Sequence, residues 1–101
     1  MEFLVEIEVT VPAGTPQEEI DERQRAEAAA AAQLAQEGHL TRVWTARSQA
    51  GGSSVLGLYS AESLGELEDL LRQLPLYDWM RVVVTSLGAH PNDPAIAEAP
   101  R

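Results

Sequence analysis

The order in which the hydrophobic period changes along this chain constrains its fold more than any other feature. The opening stretch EFLVEIEVTV alternates, with Phe3, Val5, Ile7, Val9 and Val11 on one face and Glu2, Glu6, Glu8 and Thr10 on the other, interrupted only by Leu4. A period of two is that of a half-buried strand. Pro12, Gly14 and Pro16 then turn the chain. Thr15 is placed to cap a helix with Pro16 at its first position and Glu18 at capping-box spacing. That helix runs to about Glu37 and is stopped by Gly38, since glycine readily takes the left-handed conformation that ends helices.

The period returns to two in HLTRVWTARSQ, and after the turn residues AGGSS again in SVLGLYS, which together read as a hairpin. Ser60 is positioned to cap a second helix, in which Leu64, Leu67, Leu70, Leu71 and Leu74 recur at helical intervals until Pro75. LYDW turns the chain and MRVVVTSL is a last β-branched strand. Strand, helix, strand, strand, helix, strand is the split βαβ order of the ferredoxin-like α+β fold, a four-stranded antiparallel sheet with two helices on one face. The domain is expected over residues 1–91, with 92–101 an irregular tail. The other sheet face has no helix to cover it, and the first strand offers Glu6, Glu8 and Thr10 there.

Composition excludes several chemistries. With 101 residues and 45% hydrophobic side chains the chain makes one domain of modest core, which an oligomer would help to bury. It has no cysteine and no lysine, so thiolate nucleophiles, disulfides and Schiff bases are out. Acids outnumber arginines sixteen to seven, for a net charge of −9, which argues against nucleic acid. An anionic small molecule would need a local arginine. No stretch is long enough to span a membrane, and the acids at Glu2, Glu6 and Glu8 do not suit a signal peptide, so a cytoplasmic protein is expected. His39 and His90 stand far apart with no neighbour at metal-ligand spacing, so no metal site is expected. His39 suits a helix C-terminus, and the serines of GGSSVLG do not form a nucleophile elbow.

One residue breaks its local pattern. In RQRAEAAAAAQLA the carboxylate of Glu27 interrupts a run of alanines. At about 100° per residue it falls within roughly 20° of Ile20, in line with Ala31 and Leu34. An acid on an apolar stripe loses hydration, its pKa rises, and it becomes a usable base near neutral pH. The competing reading is an exposed pair with Arg23, one turn earlier, that merely supports the helix, and the wheel alone favours it. Trp44, Tyr59, Tyr77 and Trp79 are expected to pack, although LPLYDWM puts large side chains on a loop where they could close over a ligand.

The segments MEFLVEIEVTVP, EEIDERQRAEAAAAAQLAQEGHL, the VW of Val43 and Trp44, LPLYDWM and VTSLGAHP, in this order from Met1 to about Pro91, resemble the muconolactone delta-isomerase family. The resemblance implies a cofactor-free isomerase of aromatic catabolism in the β-ketoadipate pathway, turning muconolactone into 3-oxoadipate enol-lactone. It also implies a homo-oligomer of dimers arranged as a ring-like decamer, and a first-helix glutamate as base, the position of Glu27. With that role assigned, Arg23, Arg25 or Arg42 would hold the substrate's carboxylate, Trp44, Tyr77 and Trp79 would contact the substrate, and His90 or a tyrosine hydroxyl from a neighbouring chain would support the lactone oxygen. Gln24 and Thr45 stand where the family carries cations. That departure keeps open an alternative: a non-catalytic ligand-binding protein, or a natural-product pathway member such as a cyclase or cofactor-free oxygenase, on the same scaffold.

Overall fold

The structure, a computed structural model, describes residues 1–49 and 51–97. Its elements are β1 (Glu2–Val9), α1 (Gln17–Gln36), β2 (Leu40–Arg47), β3 (Ser53–Ser60), α2 (Leu64–Arg72), a 3-10 turn (Tyr77–Trp79), β4 (Met80–Leu87) and α3 (Pro94–Ala97). The strands form one sheet in the order β2-β3-β1-β4, and every pairing is antiparallel. This is the ferredoxin-like arrangement. The most regularly alternating strand, β1, is central, with Phe3 opposite both Tyr59 and Ser86. Its alternation explains the core: Phe3, Val5 and Ile7 are buried beneath Leu34 of α1 and Leu67 and Leu71 of α2, with Leu40 and Tyr59 beside them. Both helices therefore lie on one face. The strand ends two residues earlier than its alternation suggests. β4 begins at Met80 opposite Val9, and Thr10 N–H donates to the Trp79 carbonyl instead of extending the ladder.

The helix ends differ in part from the sequence reading. Thr15 does not cap α1: its hydroxyl donates to the Pro12 carbonyl at 2.7 Å, closing the turn, and Pro16 takes the N-cap position with no side-chain cap. At the other end Gly38 has φ +83, Gly38 N–H donates to the Ala35 carbonyl and His39 N–H to that of Leu34. That pair of bonds is a Schellman motif, and it sends the chain straight into β2. The cap of α2 is Ser63 rather than Ser60. Ser63 Oγ accepts from Glu66 N–H, while Glu66 Oε1 accepts from Glu62 N–H. Ser60 is occupied as the last residue of β3, paired with Glu2, and His39 Nδ1 lies 2.9 Å from its carbonyl. The tail is not wholly irregular. Asp93 Oδ1 accepts from Ala95 N–H at the start of the single turn α3, and residues 98–101 lie outside the described residues.

The helix-free face is more apolar than β1 alone suggests. Register places Leu4, Leu56, Leu58, Trp44 and Val83 on it together with Glu6, Glu8, Arg42 and Arg81. The acids of β1 thus flank a greasy centre made of Leu4 and side chains from the neighbouring strands, with Trp44 38% and Val83 49% exposed. No helix among the described residues is long and apolar enough to cross a membrane.

Candidate active site

Where α2 ends, Leu74 N–H donates to the Leu71 carbonyl, and the chain tightens through Tyr77 N–H to Leu74 and Trp79 N–H to Leu76. Pro75, which has no N–H to continue a helix, sits at the bend. The turn lies against the inward stripe of α1, formed by Ile20, Arg23, Glu27, Ala30, Ala31 and Leu34, the half-buried and buried positions of that part of the helix. Alanines there leave the two longer polar side chains free to reach across.

Those two side chains grip a single peptide group from its two ends. Arg23 Nη1 donates to the Pro75 carbonyl at 3.1 Å, and the Leu76 N–H donates to Glu27 Oε1 at 3.0 Å. The Arg23 guanidinium also lies 4.4 Å from the centre of the Trp79 ring, within cation–π range. The two are not an ion pair: among the described residues the ion pairs are those of Arg72 with Glu68 and Asp69. The exposed Arg23–Glu27 pair that the helical wheel allowed is therefore not what forms. Burial pushes the Glu27 carboxyl above its ordinary value, and the bond from Leu76 N–H opposes that shift without cancelling it. A half-buried carboxylate with one oxygen tethered and a raised pKa is chemically a poised base.

Tyr59, which sequence reasoning assigned to packing, belongs to the same region. It faces the helices from β3 and is 4% exposed. Its phenol is pushed up to about 12, first by burial and then by the negative charge of Glu27. The signal that could have found it is Gly57, two residues earlier on the same face: a Cβ there would lie 2.6 Å from Tyr59 Cε1. The ring therefore lies along the strand over the glycine. Beyond it the helix-side face opens, with Val43 54% and Val55 38% exposed.

Of the sequence-predicted residues, Arg23, Glu27 and Trp79 come together. Arg25 is exposed on α1. Arg42 and Trp44 lie on the helix-free face, with the guanidinium 5.0 Å from the indole centre. Tyr77 borders a different feature, a groove of about 580 Å³ that also involves Phe3, Leu71, Val82 and Val84. His90 is exposed, its Nδ1 accepting from Asn92 N–H. The contribution of the Pro75–Leu76 peptide was missed, because backbone groups carry no sequence signature. No group of three or more His, Cys, Asp or Glu side chains among the described residues is arranged to hold a metal ion.

The family model for muconolactone delta-isomerase matches residues 1–93. A muconolactone delta-isomerase of Acinetobacter baylyi is 29% identical over 92 residues, 91% of this chain and 93% of that protein. One of Cupriavidus pinatubonensis is 32% identical over 92 residues, 91% of this chain and 97% of its own length. A crystal structure of muconolactone isomerase superposes with a TM-score of 0.80 at 28% identity, covering 93% of this chain and 95% of that one.

Proposed function

The chain belongs to the muconolactone delta-isomerase family, and from that membership and the geometry around Glu27 we propose that it moves a proton within an unsaturated lactone, muconolactone or a close relative, with Glu27 as the single base. The observation that carries this reading is the bond from Leu76 N–H to Glu27 Oε1. It fixes a partly desolvated carboxylate while leaving the second oxygen to work.

The reaction needs little else. The carboxylate takes the proton from the lactone carbon that bears the side chain. The C–H electron pair forms a new double bond within the ring, the original double bond shifts toward the carbonyl carbon, and charge gathers on the carbonyl oxygen. The carboxylic acid of Glu27 then returns the proton two carbons away, on the same face. The proton and the electrons stay within substrate and base, so no electron carrier is called for. Arg23 is the cation we assign to the substrate's carboxylate. Only part of its five-donor fork is spent on Pro75, and Trp79 steadies it. Arg42, Trp44 and His90 lie away from Glu27 within one chain, and serve a site only where a neighbouring copy brings them to it. We assign the helix-free face to such a copy: its centre of Leu4, Leu56, Leu58 and Val83 is apolar and uncovered. A stable monomer in light scattering would refute that assembly.

The deciding experiment is proton NMR of muconolactone in heavy water with the purified protein and with Glu27→Gln. Conversion with deuterium incorporation that falls by about 10²-fold or more in the variant is expected. Exchange that survives the substitution would remove Glu27 as the base, and no conversion by the wild-type protein would remove the substrate assignment.

A further inference from the structure

A base alone leaves the charge on the substrate's carbonyl oxygen without a partner, and a site that excludes water gains most from a fixed donor aimed at it. The structure brings one polar group to the buried side of this region that the base mechanism does not use. Tyr59 projects from the middle of the sheet on the helix side, in register with Phe3 and Leu40. Its ring is held in the core. Gly57 provides the room: with Cε1 2.6 Å and Cζ 3.5 Å from where a Cβ would be, the ring runs along β3 toward Val55, and its hydroxyl end points to the part of the face where Val43 and Val55 are open. The hydroxyl makes no hydrogen bond to another described residue, and among the described residues no buried side-chain nitrogen or oxygen lacks a partner. The oxygen at the tip of an otherwise buried ring therefore still meets solvent. It is the one point at which a bound molecule could replace water on it.

We propose that the Tyr59 hydroxyl is a second catalytic group, donating a hydrogen bond to the carbonyl oxygen of the bound lactone as that oxygen takes on enolate charge. This rests on the reading of Glu27 as base. The direction of the hydrogen bond follows from the two acidities. Glu27 ionises far below the phenol, which is held up to about 12, so wherever the base is ready the tyrosine still carries its proton. Tyr59 is then a donor and not a second base, and the proton that moves is always the one on Glu27. The negative charge of Glu27, which adds to burial in raising the phenol, is neutralised when the proton is taken up. The donor thus meets the new charge on the substrate as the old one is neutralised. Val43 and Val55 beside the hydroxyl make an exposed apolar shelf, suited to the face of a planar five-membered ring. A donor at one end and a shelf of this kind specify a ligand class, planar rings bearing one oxygen that gains negative charge.

The test is Tyr59→Phe, which keeps the ring and hence the packing over Gly57. With muconolactone, kcat should fall by about 10²–10³-fold with a much smaller change in KM. An equilibrium probe separates this from the base reading. In Glu27→Gln, which imitates the protonated base, 4-nitrophenol should bind as its anion, read from the phenolate absorbance. Adding Tyr59→Phe should weaken that binding by at least about tenfold, in keeping with a hydrogen bond to a charged oxygen. If wild type leaves muconolactone unchanged, the substrate assignment falls, yet loss of phenolate binding in the double variant would still support the donor. Unchanged kcat in Tyr59→Phe, or phenolate binding that is absent or indifferent to Tyr59, would overturn the proposal.

Discussion

Replacing Gly57 by alanine tests the tyrosine's placement most directly, because the size of the clash is known. The new methyl would lie 2.6 Å from Tyr59 Cε1 and 3.3 Å from Cδ1, where carbon atoms rest at about 3.5–4.0 Å. The ring must retreat by about 1 Å. It is 4% exposed and sits between Phe3 and Leu40 in register, so moving off the glycine means leaving its rotamer or pushing its neighbours. Overpacking of this kind costs about 1–3 kcal/mol, against which alanine in a strand regains roughly 0.5–1 kcal/mol over glycine. The net expectation is a loss of about 0–2.5 kcal/mol, centred near 1, which in a domain of this size lowers Tm by up to roughly 20 °C at about 4–8 °C per kcal/mol. Thermal unfolding followed by circular dichroism, at one fixed protomer concentration because assembly shifts Tm, measures it. The control is the same substitution in a Tyr59→Leu background, where the ring is gone and the alanine should be neutral or stabilising. The difference between the two backgrounds is the coupling energy of the pair. A Gly57→Ala protein as stable as wild type, with no coupling to position 59, would refute the ring's position over the glycine.

Glu27→Gln should be inactive yet at least as stable as wild type at neutral pH. The glutamine still offers an oxygen to Leu76 N–H, while the desolvated charge is gone. Linkage gives the sign: the folded pKa is raised above the unfolded one, so between the two values the native state holds more protons, and wild-type stability falls as pH rises through that window. The advantage of the variant should therefore vanish below the ordinary glutamate range, and a variant less stable than wild type at pH 7 would contradict it. The acid limb of kcat/KM should have its midpoint above the ordinary glutamate value, and a midpoint at or below it would argue against a desolvated base. Arg23→Lys should lose about 1–2 kcal/mol, roughly the worth of one charge-assisted hydrogen bond with part of the cation–π contact. The lysine cannot both reach Pro75 and lie flat on Trp79. Its acid limb should also move upward, since slackening Leu76 N–H weakens the bond that lowers the Glu27 pKa; an unmoved limb would separate the clamp from the base.

What the sequence made legible follows from which signals are periodic. The alternation of β1 and the leucine spacing of α2 name the core correctly, with Phe3, Val5, Ile7, Leu67 and Leu71 all buried, because each depends on a face repeated over many residues. The stripe of α1 was legible too, and with it the placement of Glu27. Caps were less so. Thr15 and Ser60 both have the right chemistry, but each hydroxyl or backbone group is taken by a nearer partner, Pro12 in one case and the strand pairing with Glu2 in the other. The helix-free face was misjudged by reading β1 alone, since beyond Leu4 its apolar residues come from other strands, Leu56 and Leu58 from β3 and Val83 from β4. Long-range geometry was invisible: that Arg23 and Glu27 meet the peptide after Pro75, 52 and 49 residues away, depends on the packing of the turn against α1 and on no pattern within either segment.

That meeting has a consequence for how a single carboxylate could both take and return a proton. Arg23 and Glu27 are one helical turn apart and hold the carbonyl and the N–H of the same peptide group. The carboxylate is therefore positioned by backbone atoms, which no substitution in the turn removes short of proline at Leu76. With Glu27 as the proposed base, one of its oxygens is pinned and the other is left to meet the substrate, so the acid formed on abstraction would carry its proton on the side from which it was taken. Return to a carbon two atoms away then needs only a pivot about the pinned oxygen, and on the same face of the ring. A carboxylate with both oxygens free would rotate and could lose the proton to water. The tether makes suprafacial transfer with retention of the substrate's own proton the expected outcome, which deuterium content in the product reports: in heavy water a fraction of product should keep its original hydrogen, and complete washout on every turnover would mean that the tether does not govern the proton's path.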